Sequence, residues 1–255
     1  MKTSTQRLLA VLPALVLAAC GGGDDSLDDR LGVADPKVRM VNSIPLAPNV
    51  SLFRNSVAQA GDVTNLPYKG ASKYFDVETG LGQWDALTAT NPALPVGSVT
   101  FDAQRGKKFT LVAVPNSGSV TELALIVDPY NKGITSDNAR VRMYNASFNA
   151  NSIDVYLTAP TADIATLAPT FATVGYKQAV PASGADSLEV EGSAYRLRIT
   201  TAGTKTVIFN ATFTLAQNAD WLLTSVPGSV TPGDVKVLVI KSDEGAPATE
   251  LSNTP

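Results

Sequence analysis

The sequence predicts an all-β protein made of two tandem sandwich domains, and three observations carry that prediction. Apolar and polar residues alternate with period two through most of the chain. The same set of strand patterns occurs twice, about 105 residues apart. Glycine and proline interrupt the patterns at short intervals, and no segment shows a capped 3.6-residue period. Period two with β-branched and aromatic residues is the mark of half-buried strands, and Gly/Pro clusters mark the turns between them.

Composition bounds the chemistry before any motif is considered. Of 255 residues, 44% are hydrophobic and 17% charged, which is globular and not disordered. The chain contains no histidine and a single cysteine, Cys20. That excludes Ser–His–Asp triads, Cys–His dyads, His-ligated zinc, CxxC redox pairs and intramolecular disulfides. The formal net charge of −3 argues against a nucleic acid partner.

The N-terminus reads as a leader. Lys2 and Arg7 precede an apolar run, Leu8 to Ala19, that is too short to cross a bilayer core of about 30 Å. The run ends in Leu17-Ala18-Ala19-Cys20, which resembles a bacterial lipobox. The resemblance implies a signal peptide over 1–19 and lipidation of Cys20, palmitate included. The membrane is then a partner through that lipid. Gly21, rather than Asp, after the lipidated position implies the outer membrane of the bacterial cell envelope. Residues 20–36 read as a flexible acidic tether, with Gly21 to Gly23 followed by Asp24, Asp25, Asp28 and Asp29. The spacing of those aspartates matches no calcium loop.

The remainder is one unit written twice. Val38-Arg39-Met40-Val41-Asn42 corresponds to Val141-Arg142-Met143-Tyr144-Asn145 at an offset of 103 (142 − 39). Val50 to Phe53 lies over Ile153 to Tyr156 at the same offset. Tyr68-Lys69 lies over Tyr176-Lys177 at 108, and Phe109 to Pro115 over Trp221 to Pro227 at 112. Such drift is what loop insertions produce. The domains expected are 37–132 and 137–245, with 246–255 a disordered tail. Ile153, Val155 and Leu157 share one strand face; Tyr195, Leu197 and Ile199 share another; Val207 to Leu215 alternates after a hairpin turn at Ala202-Gly203-Thr204. Ala162 to Thr170 is the one helical candidate, stopped by Pro169. About seven short strands in about 100 residues is the size and pattern of an immunoglobulin-like β-sandwich.

The second unit resembles a known family. Val141-Arg142-Met143-Tyr144-Asn145-Ala146-Ser147, then Ile153-Asp154-Val155-Tyr156, is similar to the opening of the secreted domain-of-unknown-function 4397 family. Gly175-Tyr176, Ser193 to Ile199 and Ala202-Gly203-Thr204 look like its middle, so the resemblance covers most of 139–243. The first unit departs from it, with Ser51 where Asp154 stands and Trp84 near the position of Tyr195. The resemblance implies a sandwich-like extracytoplasmic domain and brings no catalytic residues.

No catalytic, metal or cofactor site emerges. Asp76 with Glu78, and Glu189 with Glu191, are same-face carboxylate pairs of the kind ordinary at strand edges, although two carboxylates can run glycoside hydrolysis. No SxxK, GxSxG or P-loop motif occurs. Asp154, Tyr144 and Tyr156 are the candidate ligand-binding residues. The tyrosines fall on the outward phase of their strands, where exposure is expected. Asp154 would bind a ligand or cation, cap turn amides, or pair with Arg142 on a neighbouring strand. The functional expectation is a lipid-anchored, non-enzymatic interaction or adhesion module, with an envelope protein or glycan as partner. Two alternatives stay open: a carbohydrate- or cation-binding accessory lipoprotein, and a hydrolase built on a carboxylate pair.

Overall fold

The computed structural model describes residues 26–115, 121–242 and 248–254. These residues are nearly all strand and turn, arranged in four sheets. The first half supplies β1 (Lys37–Asn42), β2 (Val50–Arg54), β3 (Val57–Ala58), β4 (Phe75–Asp76), β5 (Gly80–Thr88), β6 (Pro95–Ala103), β7 (Lys108–Pro115) and β8 (Thr121–Asp128). The second supplies β9 (Ala139–Asn145), β10 (Ser152–Thr158), β11 (Phe171–Gly175), β12 (Ala179–Val180), β13 (Leu188–Val190), β14 (Ala194–Thr201), β15 (Val207–Thr214), β16 (Asp220–Pro227), β17 (Val235–Lys241) and β18 (Thr249–Leu251).

Both halves use one strand order. The first forms sheets β4-β1-β7-β8 and β3-β2-β5-β6; the second forms β12-β9-β16-β17-β18, with β13 also on β9, and β11-β10-β14-β15. In each, the first strand runs parallel to a late one. Val38 faces Phe109 in the β1–β7 pair, and Val141 faces Trp221 in the β9–β16 pair. This order is not the immunoglobulin one that the strand count suggested, in which the first strand pairs with the second and the third with the sixth. Here β1 and β2 lie in different sheets. Period two specifies which face of a strand is apolar and says nothing about which strand it pairs with.

Three apolar clusters explain the arrangement. Val38, Met40, Leu52, Trp84, Phe101 and Leu111 pack between the two sheets of the first half. Val141, Met143, Ile153, Phe171, Leu197 and Leu223 do so in the second. A third cluster joins the halves: Val41, Val112, Val114 and Ile126 meet Tyr144, Leu222, Val226 and Leu238. The sheets carrying β1 and β9 are therefore inner layers, and β7 and β9 are buried along almost their whole length. Fully burying a large apolar side chain stabilises by about 1.5–3 kcal/mol. The third cluster is therefore of the same kind as the other two.

Two polar contacts cross the junction reciprocally. The Tyr68 hydroxyl donates to the Pro227 carbonyl at 3.3 Å, and the Tyr176 hydroxyl donates to the Pro115 carbonyl. Both partners correspond at the offsets read from the sequence, 108 for the tyrosines and 112 for the prolines.

Three segments differ from expectation. Part of the stretch read as a flexible tether is ordered: Ser26 and Asp29 form a capping box around the short helix Leu27–Arg30. Asp29 accepts from Lys37 Nζ at 2.9 Å, and Arg30 donates to the carbonyls of Gly133, Ile134 and Ser136. Gly106 lets this segment cross closely, since a Cβ there would lie 2.5 Å from the Gly32 carbonyl oxygen. The stretch read as a disordered tail contains β18, which pairs with β17, and Thr254 N then donates to the Asn210 carbonyl. Ala162 to Thr170 forms no helix. Each of these segments is short, and its order comes from tertiary partners and not from a local period.

Candidate functional site

The strands of the inner sheets place two different chemistries at their two ends. β1, β7, β9 and β16 begin at one end and finish at the other, about 20 Å away for a six-residue strand.

The starting end is a buried ionic cluster. Asp128, at the end of antiparallel β8, accepts from Arg140 Nη2 at 2.7 Å and from the Ser187 hydroxyl at 2.7 Å, and lies 3.6 Å from Arg142 Nη2. Lys108 reaches Asp220 at 3.5 Å across the junction. Lys108 Nζ and the Arg140 guanidinium both lie over the Tyr130 ring, at 3.7 and 4.2 Å. Burial alone would raise the Asp128 pKa, but the two guanidiniums and the hydrogen bonds from Arg140 and Ser187 hold it below the usual carboxylate range. A carboxylate held charged in this way neither gives nor takes a proton near neutrality. The cluster joins the halves, with Asp128 and Lys108 from the first and Arg140, Arg142 and Asp220 from the second.

The finishing end is apolar and open. A cleft of about 270 Å³ is walled by Pro45, Leu46, Tyr68, Phe148, Pro227 and Val230, with Lys69 and Lys236 as its charged lining. Four connections build it, those joining β1 to β2, β3 to β4, β9 to β10 and β16 to β17, with Lys236 at the head of β17. Asn149 ties two of them, its amide donating to the carbonyls of Ser229, Thr231 and Asp234 at 2.7–3.0 Å. That bond set holds Phe148 beside Val230. Leu46 is 104% and Val230 84% exposed. Leu46 also sits at φ 58°, a left-handed conformation that costs a leucine about 1–2 kcal/mol.

Loss of the Asn149 amide is expected to open this end. Asn149→Ala should lower stability by about 1–3 kcal/mol, read by thermal unfolding, because the three carbonyls lose their shared donor.

The residues singled out from sequence do not converge on one site. Tyr144 is 1% and Tyr156 2% exposed, against the expectation for outward-phase positions. Tyr144 points outward from its own half but into the junction cluster. Tyr156 is buried, with the Lys205 ammonium 4.6 Å from its ring and the 159–170 loop tied to that same lysine. Arg198 holds that loop through the Ala162 carbonyl at 2.8 Å, and Lys205 holds it through the Leu167 carbonyl at 2.5 Å. Lys205 also donates to the Tyr156 hydroxyl at 2.9 Å. Asp154 lies on the strand of Tyr156 and in a different sheet from Tyr144. It accepts from the amides of Thr173 at 2.7 Å and Gly203 at 2.8 Å. Arg142 does not pair with it; that guanidinium donates instead to the carbonyls of Pro181, Ala182 and Ala185.

The corresponding position in the first half has the same task. Ser51 Oγ accepts from the Asn65 amide at 2.9 Å, and Asn65 and Thr173 share a positive φ of 56° and 52°. The side chain caps the amide of a left-handed turn in both halves. Asp154→Ala is expected to cost about 1–3 kcal/mol of stability, measured by denaturant titration, as two partly buried amides lose their acceptor. The Tyr144 hydroxyl, by contrast, has no hydrogen-bond partner among the described residues. Tyr144→Phe should therefore leave stability unchanged or raise it by about 1 kcal/mol.

Cys20 lies outside the described residues. Among the described residues no group of three His, Cys, Asp or Glu side chains is placed to hold a metal ion. The cleft residues Leu46, Phe148 and Val230 were missed in the sequence because each is a single apolar residue inside a turn-rich stretch. The available signal was an apolar residue flanked by turn formers, as in Pro45-Leu46-Ala47-Pro48 and Gly228-Ser229-Val230-Thr231-Pro232-Gly233.

Residues 36–156 match the family model of the Domain of unknown function (DUF4397). The match starts at the head of β1 and runs through the whole first half to Tyr156 in β10. It thus lies mainly on the half that had seemed to depart from the pattern. The comparison with curated proteins gives no match.

Proposed function

We propose that this chain is a lipid-anchored protein of the bacterial cell envelope, in the outer membrane, and a non-enzymatic interaction module. In this reading it consists of two tandem sandwiches locked face to face, tethered at one end and binding with the other. The observation that carries it is the placement of Leu46, Phe148 and Val230. These exposed apolar side chains gather at the finishing end of the inner strands, and the segment from Ser26 docks at the starting end. A tether leaving from Ser26 would direct the cleft away from the anchoring membrane. Two further points support a binding role over catalysis: the absence of histidine from the sequence, and an ionic cluster whose carboxylate stays charged.

The anchor has a direct test. Cys20→Ser should move the protein from the membrane fraction to the soluble fraction, and mass spectrometry of the wild-type N-terminal peptide should show acyl chains on Cys20. A mutant that stays in the membrane fraction, beside a wild type without lipid, would overturn the anchor reading.

A further inference from the structure

We infer that the cleft at the finishing end binds a long-chain aliphatic carboxylate. The inference rests on the reading of that end as the binding surface and names the chemistry of its occupant. The cleft is itself amphipathic. Its walls are the side chains of Pro45, Leu46, Phe148, Pro227 and Val230 and the ring of Tyr68. The Tyr68 hydroxyl is turned to the Pro227 carbonyl, so the ring contributes an apolar face. Its charged lining is Lys69 and Lys236. A ligand matching this lining has one charged end and nothing polar along its length. A sugar or a peptide backbone would leave hydrogen-bonding groups unpaired against these walls.

The sign and kind of the charge are also on display. Lys69 Nζ and Lys236 Nζ both hold the Glu250 carboxylate, at 2.5 and 3.0 Å. The two lysines come from opposite halves of the chain, and Glu250 comes from β18, so three separate elements build a carboxylate seat beside the cleft. Asp234 adds a second negative charge acting on Lys236, and Glu250 is the carboxylate that both ammonium groups hold. Each ammonium has three donors, so a second carboxylate can share the pair. The aliphatic tail then lies along Leu46, Phe148 and Val230 and removes them from water.

Calorimetric titration with dodecanoate, below its micelle concentration, tests this on the chain from Gly21 onward, which keeps every described residue. Saturable binding of one dodecanoate per chain is expected, with dodecanol and dodecyltrimethylammonium at least tenfold weaker. Val230→Asp, at an exposed position, should abolish binding, with an unchanged unfolding midpoint showing that the fold is intact. Glu250→Gln releases both lysines and should tighten dodecanoate at least threefold, which a merely structural ion pair would not do. No saturable binding, equal binding by Val230→Asp, or unchanged affinity in Glu250→Gln would overturn the inference. If dodecanoate fails while Leu46 and Val230 still contact a partner in cells, the carboxylate assignment falls and the reading of this end as the binding surface stands.

Discussion

Asp128→Ala is expected to lower the stability of the protein by about 3–5 kcal/mol, the cost of removing one partner from a buried ion pair. The size follows from what remains. Arg140 is fully buried and Arg142 nearly so, and Asp128 is the carboxylate nearest both. Without it the two guanidiniums face each other inside the junction, with Asp186 at 3.8 Å and Asp220 at 3.9 Å from Arg140 as more distant counter-charges. Denaturant titration measures the loss, and pairing Asp128→Ala with Arg140→Leu should restore part of it. The same carboxylate gives the fold an acid limit. Its pKa is lower in the folded chain than the ordinary 3.8, so the unfolded chain binds more protons in that window. Stability from this group is complete above about pH 5 and drains away as the pH falls through the folded value. Stability of the Asp128→Ala variant should therefore fall less between about pH 5 and pH 2 than that of the parent chain.

Trp84→Ala is expected to cost a similar amount, about 3–5 kcal/mol, through a cavity and not a charge. Trp84 is fully buried at the centre of the first core. Its ring stacks on Phe101 at 5.6 Å, Phe101 stacks on Phe109 at 4.7 Å, and the Arg54 guanidinium lies 5.3 Å from it on another side. The strand register pairs Trp84 with Arg54, and in the second half it pairs Leu197 with Leu157. Trp84→Leu therefore introduces the side chain that the second half carries at this place and should cost less than alanine. Against a typical total of about 5–15 kcal/mol, the alanine variant loses about a fifth or more of the stability. An unfolding midpoint within a degree of the parent would contradict this packing.

Strand phase was legible in the sequence, and strand environment was not. Ile153, Val155 and Leu157 share one face in the sequence, and all three are buried in one core. Tyr144 falls on the outward phase of its strand, yet it is buried because the other half covers that face. Alternation cannot distinguish water from another layer when the covering surface is itself mixed, with Arg39 over the Tyr74 ring and Lys108 beside Asp220. Ser51 and Asp154 each accept from a turn amide, and Tyr68 and Tyr176 each donate to a proline carbonyl. Pairing order was not legible. The parallel β1–β7 contact joins residues some 70 positions apart, and no local pattern marks it. The cleft was least legible of all. Leu46, Phe148 and Val230 come from three loops, and only the hydrogen bonds of Asn149 and the folding of the inner sheets bring them together.

The most direct test compares exposed apolar positions in the cell. A photo-crosslinking amino acid can be placed at Leu46 or Val230 in the loops at the finishing end. Leu81 in β5 serves as the control, at 73% exposure. If that end is the binding surface, illumination of native cells should give discrete adducts from 46 and 230 and none from 81. Adducts from position 81 alone, or equally from all three, would contradict the account.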